Sequence, residues 1–465
     1  MNRNVAIVYD DTRKPGRQIA AITGNNSFGR TIYKRQTLME RIRDAFSSIP
    51  GVTGFYEAGS AESSHLKDTH VILFFSDFGI AKIKDLETIV YKAGYAHENY
   101  KITQANRIAC VIFKDELEFY KASRNDLEGY TEIESDVFTD LGDVNNFRSF
   151  ITGGFDARFF NSLTGDDHTV VKLSEKKSKI KAEYTFYSLL PDDMKQWFVR
   201  PFDYFEDEKK AGYRMQRYHM TDLAIRYVHG SIGAEEFRDI LAQLFYFLAH
   251  RMTKEVTEAE YEAEAKRLYI DKVKERTAQL KETEGYEELA RTIAANTPYR
   301  DIDEIVSRYE KLYESIHSGR SFDHVKAVSH GDMCFSNILY SGSADLVILI
   351  DPKGAMTTDE LYMDPFYDLA KLSHSICGYY DYFNSGLYEI CLDANMKASL
   401  RVDADNRQYV EMFRESLEEA GIDLALVRLY EASLFLSMLP LHMDRPQKVF
   451  GFVLNALAIL NSLER

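Results

Sequence analysis

Three oxygen-bearing side chains stand out by type and spacing: Asp332, Asn337 and Asp351. The first two lie five apart in Ser329-His330-Gly331-Asp332-Met333-Cys334-Phe335-Ser336-Asn337, a short polar loop entering the apolar run Ile338-Leu339-Tyr340. Asp351 closes a second apolar run, Leu346-Val347-Ile348-Leu349-Ile350. A loop carboxylate can accept the proton of an attacking hydroxyl. An amide oxygen and a further carboxylate are hard oxygen donors of the kind a divalent cation takes. Phosphoryl transfer asks little covalent chemistry of a protein, so three such groups held in fixed places can carry most of it.

A cation is needed as well, and the chain offers one upstream. Thr169-Val170-Val171-Lys172-Leu173 reads as a strand with one lysine among apolar residues, a costly placement unless the charge is paired. Glu183 falls on the expected helix 177–190 and can pair with it. Residues 150–160 read as strand, glycine turn and strand, and Gly153 and Gly154 would let backbone amides approach phosphates closely.

The full set, HGD followed by CFSNIL and then IDP, resembles the aminoglycoside phosphotransferase and choline kinase family. In that family HGD stands where protein kinases have HRD, and an ID pair replaces DFG, which argues against a protein substrate. The resemblance implies ATP and Mg2+ as cofactors and a small-molecule acceptor. It makes Asp332 the base or hydroxyl-orienting group, Asn337 and Asp351 the metal ligands, and Lys172, held by Glu183, the partner of the α- and β-phosphates. Tyr213-Arg214-Met215-Gln216-Arg217-Tyr218 matches the strand leading to the adenine-binding hinge, which brings in Gln216 and Tyr218; the usual family Glu is Gln216 here. Asp364-Pro365-Phe366-Tyr367-Asp368-Leu369-Ala370 is similar to the family's DPxxDLA element, so Asp368 is expected to brace the catalytic loop, with His330 structural beside it.

The elements positioning these groups suggest an α/β + α chain: an N-terminal α/β, Rossmann-like domain, then a bilobal protein-kinase-like fold with an enlarged helical C-lobe. Runs at 5–9, 71–75 and 108–113 read as strands, alternating with helices at 31–46 and 86–96, which implies a mainly parallel sheet over 1–127. Asp10, Asp11 and Asp77 fall at strand ends, where ligands collect in such sheets. The segment 29–36 and the strand ending in Ser76-Asp77 are similar to the start of a nucleotidyltransferase, but its glycine-rich nucleotide loop is missing. The polar stretch 128–144 reads as a linker, 145–220 as the kinase N-lobe and 221–465 as the C-lobe. Within the C-lobe, 250–320 is a charged, tyrosine-rich helical insert where relatives build the acceptor site; a scaffold or homodimer arm is the competing use.

Bulk properties set the remaining bounds. The 465 residues exceed one average domain, and their net charge is −16. Residues 1–150 contribute −2 of it and 151–465 contribute −14, which disfavours nucleic acid and, on bulk charge alone, suits a neutral or cationic acceptor. Four scattered cysteines, no apolar run near the ~20 residues of a membrane span and no leader pattern at the start point to a reducing cytoplasm. A transferase-like domain joined to a choline-kinase-like one resembles fused proteins of capsule or surface-polysaccharide assembly. Together these suggest an ATP-dependent kinase acting on a sugar or amino alcohol. A bifunctional kinase and nucleotidyltransferase, or a nucleotide-binding pseudokinase, are the alternatives.

Overall fold

The computed structural model describes residues 4–24, 27–60, 62–64, 66–122, 129–152, 161–165, 168–394 and 396–464. The chain divides into two compact units, residues 1–156 with His229–Ser231, and residues 157–228 with 232–465.

The first unit is built on a six-stranded sheet in the order Val52–Glu57, Val5–Asp10, His70–Phe75, Arg107–Phe113, Tyr100–Gln104, Thr131–Glu134. The first three strands are parallel, and Val5–Asp10 and His70–Phe75 are buried throughout, as continuous apolar runs in a covered sheet should be. Arg107–Phe113 runs antiparallel to both its neighbours, so the sheet is mixed where a mainly parallel one was expected. The expected helix 31–46 also starts later. Ile32–Tyr33 and Gln36–Thr37 form a hairpin whose turn residues Lys34 and Arg35 have φ of 49° and 70°. The helix Leu38–Ser47 then begins at a capping box, Thr37 accepting from the Glu40 amide and Glu40 accepting from the Thr37 amide.

The stretch 128–144 is not a linker. Thr131–Glu134 pairs with Tyr100–Gln104, Phe138–Asp140 pairs with Phe78–Ile80, and the helix Val144–Thr152 buries Phe147 and Ile151 in the same unit. Hence 145–152, expected as the start of the N-lobe, belongs to the first unit.

The second unit opens with an antiparallel sheet in the order Asn161–Gly165, Thr169–Ser174, Ala211–Gln216, Pro201–Glu206, followed along the chain from its second strand by the helix Lys177–Leu189. A three-stranded sheet has the order Thr221–Asp222, Ile338–Ser341, Leu346–Leu349, and its central strand follows the HGD loop. The rest is mainly helical. Glu258–Lys266 continues through a π-turn, Arg267–Asp271, into Lys272–Lys281, and Ala234–Ala249, Ile302–His317, Phe366–Ile376, Leu424–Met438 and Pro446–Leu463 enclose the core. Leu424–His442 is long and apolar enough to cross a membrane, but 72% of its most apolar window is buried inside the fold, as in a core helix.

Candidate active site

Strand register decides what meets what. Ile338 pairs with Leu349, and the Ile350 amide donates to the Asn337 carbonyl at 3.0 Å, so Asn337 and Asp351 end adjacent strands side by side. Asp351 itself sits at φ 54°, a strained conformation for a residue other than glycine. The Asn337 amide nitrogen donates to the Asp332 carbonyl at 2.8 Å and to Asp332 Oδ2 at 3.1 Å. That use of the nitrogen leaves the Asn337 carbonyl oxygen as the end suited to a cation.

Lys172 lies opposite Tyr213 in the sheet and is 1% exposed. Its Nζ reaches Glu183 Oε2 at 2.7 Å and Asp351 Oδ1 at 2.8 Å, and Tyr213 donates to Glu183 at 3.3 Å. Burial would lower the lysine's pKa, but Asp351, Tyr213 and Glu183 outweigh it and raise it, so the ammonium stays charged. Val170, Tyr218, Met220, Leu339 and Ile350, all half-buried, pack around the cluster containing Met215 and form an apolar surface near this lysine.

The HGD loop is held from behind. Asp368, fully buried, accepts from the amides of His330 at 3.0 Å and Gly331 at 2.8 Å and pairs with Arg251 at 3.0 Å. Arg251 also donates to Ser329 Oγ and to the Pro365 carbonyl. The His330 ring donates through Nε2 to the Ile350 carbonyl at 2.8 Å, which leaves Nδ1 to accept from the Asp332 amide at 3.1 Å. Both ring nitrogens are thus used on backbone groups. Gly331 has φ 75°, and a Cβ there would lie 2.7 Å from Lys353 Cβ, so only glycine fits.

One partner of Asp332 escaped the sequence: Lys371 Nζ lies 2.9 Å from Asp332 Oδ1. Burial would lower this lysine's pKa and Asp332 chiefly raises it. Asp364, buried, accepts from the Tyr269 hydroxyl and the Phe366 amide; burial pushes its carboxyl up to about 6. Arg251 follows the apolar run Leu244–Ala249 and Lys371 lies three residues after Asp368 on one helix, but neither spacing names its partner.

Gln216 is placed differently from the expectation. The strand alternates, burying Tyr213 and Met215 while exposing Arg214 and Gln216, so the Gln216 side chain points to the face opposite Lys172 and Glu183. It lines a separate cavity of about 350 Å3 with His168, Arg200 and Phe202. Gly153 and Gly154 lie outside the described residues.

In the first unit, Asp10 Oδ1 accepts from the Thr12 amide and hydroxyl, closing a turn. Asp77 is held by two guanidinium groups, Arg13 at 2.9 Å and Arg107. Among the described residues no group of three or more His, Cys, Asp or Glu side chains is arranged to hold a metal.

No protein family model matches the sequence, and no curated protein matches it. Solved structures do. A thermostable mutant of aminoglycoside phosphotransferase APH(4)-Ia is 13% identical, with 67% of this chain and 96% of that chain covered at a TM-score of 0.37. The APH(3'')-Id enzyme from Streptomyces rimosus, in complex with ADP and streptomycin, is 17% identical over 60% and 88% of the two chains, with a TM-score of 0.35. A putative fructosamine-3-kinase from Haemophilus somnus is 11% identical over 69% and 96%, with a TM-score of 0.37. The chain is similar to these structures at low sequence identity.

Proposed function

We propose that the second unit is an ATP- and Mg2+-dependent small-molecule kinase, bilobal with an enlarged helical C-lobe, that moves the γ-phosphoryl group to a hydroxyl of a sugar or amino alcohol. The observation that carries this reading is the Lys172 ammonium bridging Glu183 and Asp351, with Asn337 adjoining Asp351 and bonded to Asp332. Lys172 would bind the α- and β-phosphates, and the apolar surface of Val170, Met220, Leu339 and Ile350 would take the adenine, with Tyr218 at its edge. Asn337 and Asp351 fit magnesium by donor type: an amide oxygen and a carboxylate side chain 39% exposed, two hard ligands to be completed by phosphates and water. Bound there, the ion would neutralise charge developing on the phosphates. Asp332 would orient the acceptor hydroxyl and take its proton, Lys371 fixing the carboxylate. Asp368, Arg251 and His330 hold the loop in place.

In the first unit, two arginines occupy Asp77, a strand-end carboxylate where a ligand would collect, and this favours a non-catalytic domain over a second active site. A role in surface-polysaccharide assembly stays with the pairing of domains alone. Calorimetric titration of Mg·ATP into the full chain tests the reading: binding that is lost in Lys172→Met supports it, and absence of binding by the native chain refutes it.

A further inference from the structure

The second unit is acidic in bulk, yet cations gather where the acceptor must stand. Arg267 and Lys272, on one continuous helix, and Lys326, Lys353 and Lys371, from three other segments, surround Tyr367, Glu264 and Asp332. Three of the five are paired. Arg267 holds Glu264 through two bonds of 3.0 and 2.6 Å, Lys326 reaches the same carboxylate at 3.7 Å, and Lys371 is on Asp332. Lys272 and Lys353 have no carboxylate within ion-pair distance among the described residues. Lys272 donates to the Tyr367 hydroxyl at 2.9 Å. The Lys353 stem crosses Gly331, one residue before Asp332, and its Nζ lies 3.7 Å from Met363 Sδ.

Two further observations agree. Burial alone would raise the Tyr367 phenol, but Lys272 and Lys371 overcome it and the net shift is downward, a sign of positive potential at this hydroxyl. Lys272 also directly follows the π-turn Arg267–Asp271, a break in helix regularity of the kind that re-aims side chains at functional sites. Lys353 is exposed and Lys272 half-buried, so both ammonium groups are within reach of a ligand.

Building on the kinase reading, we infer that the acceptor carries an anionic group, a phosphate monoester or carboxylate, besides its hydroxyl, and that Lys272 and Lys353 receive it at Tyr367. Two unpaired ammonium groups beside one phenol repel each other, and an anion supplies the missing charge. The local cluster thus reverses what bulk charge suggested, and an amino alcohol without an anionic group is the wrong class.

The test compares matched alcohols: glycerol with glycerol 3-phosphate, ribose with ribose 5-phosphate, glucose with gluconate. ADP release is measured for the native chain and for Lys272→Met/Lys353→Met. The anionic member of a pair is expected to win by about ten- to a hundredfold in kcat/KM, as for a charge-assisted hydrogen bond, and the advantage should collapse in the double variant. Preference for the neutral member, or an unchanged ratio in the variant, overturns the inference. A rise in the KM for ATP instead assigns the lysines to the nucleotide and overturns it too. Calorimetry with inorganic phosphate on the Mg·ADP-loaded chain gives a readout independent of turnover. A phosphate site lost in the double variant and kept in Lys272→Arg/Lys353→Arg supports the inference, and no such site overturns it. Failure of Mg·ADP itself to bind refutes the kinase reading on which it rests.

Discussion

Asp368→Asn should be the most damaging conservative change in the chain. The carboxylate is fully buried and accepts three bonds, from the His330 amide, the Gly331 amide and Arg251, at 3.0, 2.8 and 3.0 Å. Asparagine keeps the size but offers one oxygen to those three donors, and its amide must face at least one of them. It also leaves the Arg251 guanidinium buried without its counter-charge, an error costing about 3–5 kcal/mol. For a unit of this size that corresponds to a fall in melting temperature of about 5–8 °C, followed by circular dichroism at fixed protein concentration. Arg251→Met in the same background gives a sharper check. Removing both charges leaves no orphan charge, so the double variant should lose less than the two single losses added together. Additive losses, or an Asp368→Asn melting point within 2 °C of native, would refute the reasoning.

The other predictions follow from single contacts. Lys172→Met should lower kcat/KM by about a hundred- to a thousandfold and weaken ATP binding, while Lys172→Arg recovers only part, because the site fits one ammonium between Glu183 and Asp351; steady-state kinetics decides it. Gly331→Ala should destabilise by about 1–3 kcal/mol in a denaturant titration, since φ 75° strains any side chain and the new Cβ meets Lys353. Asp381 is buried, and burial, with Asp222 adding like-charge repulsion, pushes its carboxyl up to about 7. A folded pKa above the unfolded value of about 3.9 means this group favours folding fully below about pH 4 and loses that contribution as pH rises through about 7. Asp381→Asn should therefore gain melting temperature relative to native between pH 5 and pH 8; a difference that is flat with pH would contradict the placement.

Legibility in the sequence followed how local each constraint is. The HGD loop, Asn337 and Asp351 could be picked out because their types stand at short spacing between two apolar runs, and the structure brings them side by side. Lys172 was legible because a lone lysine inside an apolar strand demands a partner, and the structure places Glu183 on it. Arg251 and Asp368 meet across 117 positions, and Lys272 reaches Tyr367 across 95, so nothing nearby in the sequence announces either contact. Thr131–Glu134 reads as linker in the sequence because it is an edge strand with no residue buried, and such a strand has no apolar face to alternate. The Ile32–Thr37 hairpin hid inside a helical pattern because its turn puts Lys34 and Arg35 at positive φ without the glycine or asparagine that usually marks one.

The central claim is that Asp332 handles the acceptor hydroxyl while Lys172, Asn337 and Asp351 handle the nucleotide. The most direct measurement pairs acceptor-dependent ADP release with Mg·ATP affinity in native protein and Asp332→Ala. Turnover reduced by at least about a hundredfold, with ATP affinity within about threefold of native, is the expected result. Turnover that survives in Asp332→Ala, or ATP affinity lost along with it, would contradict the assignment.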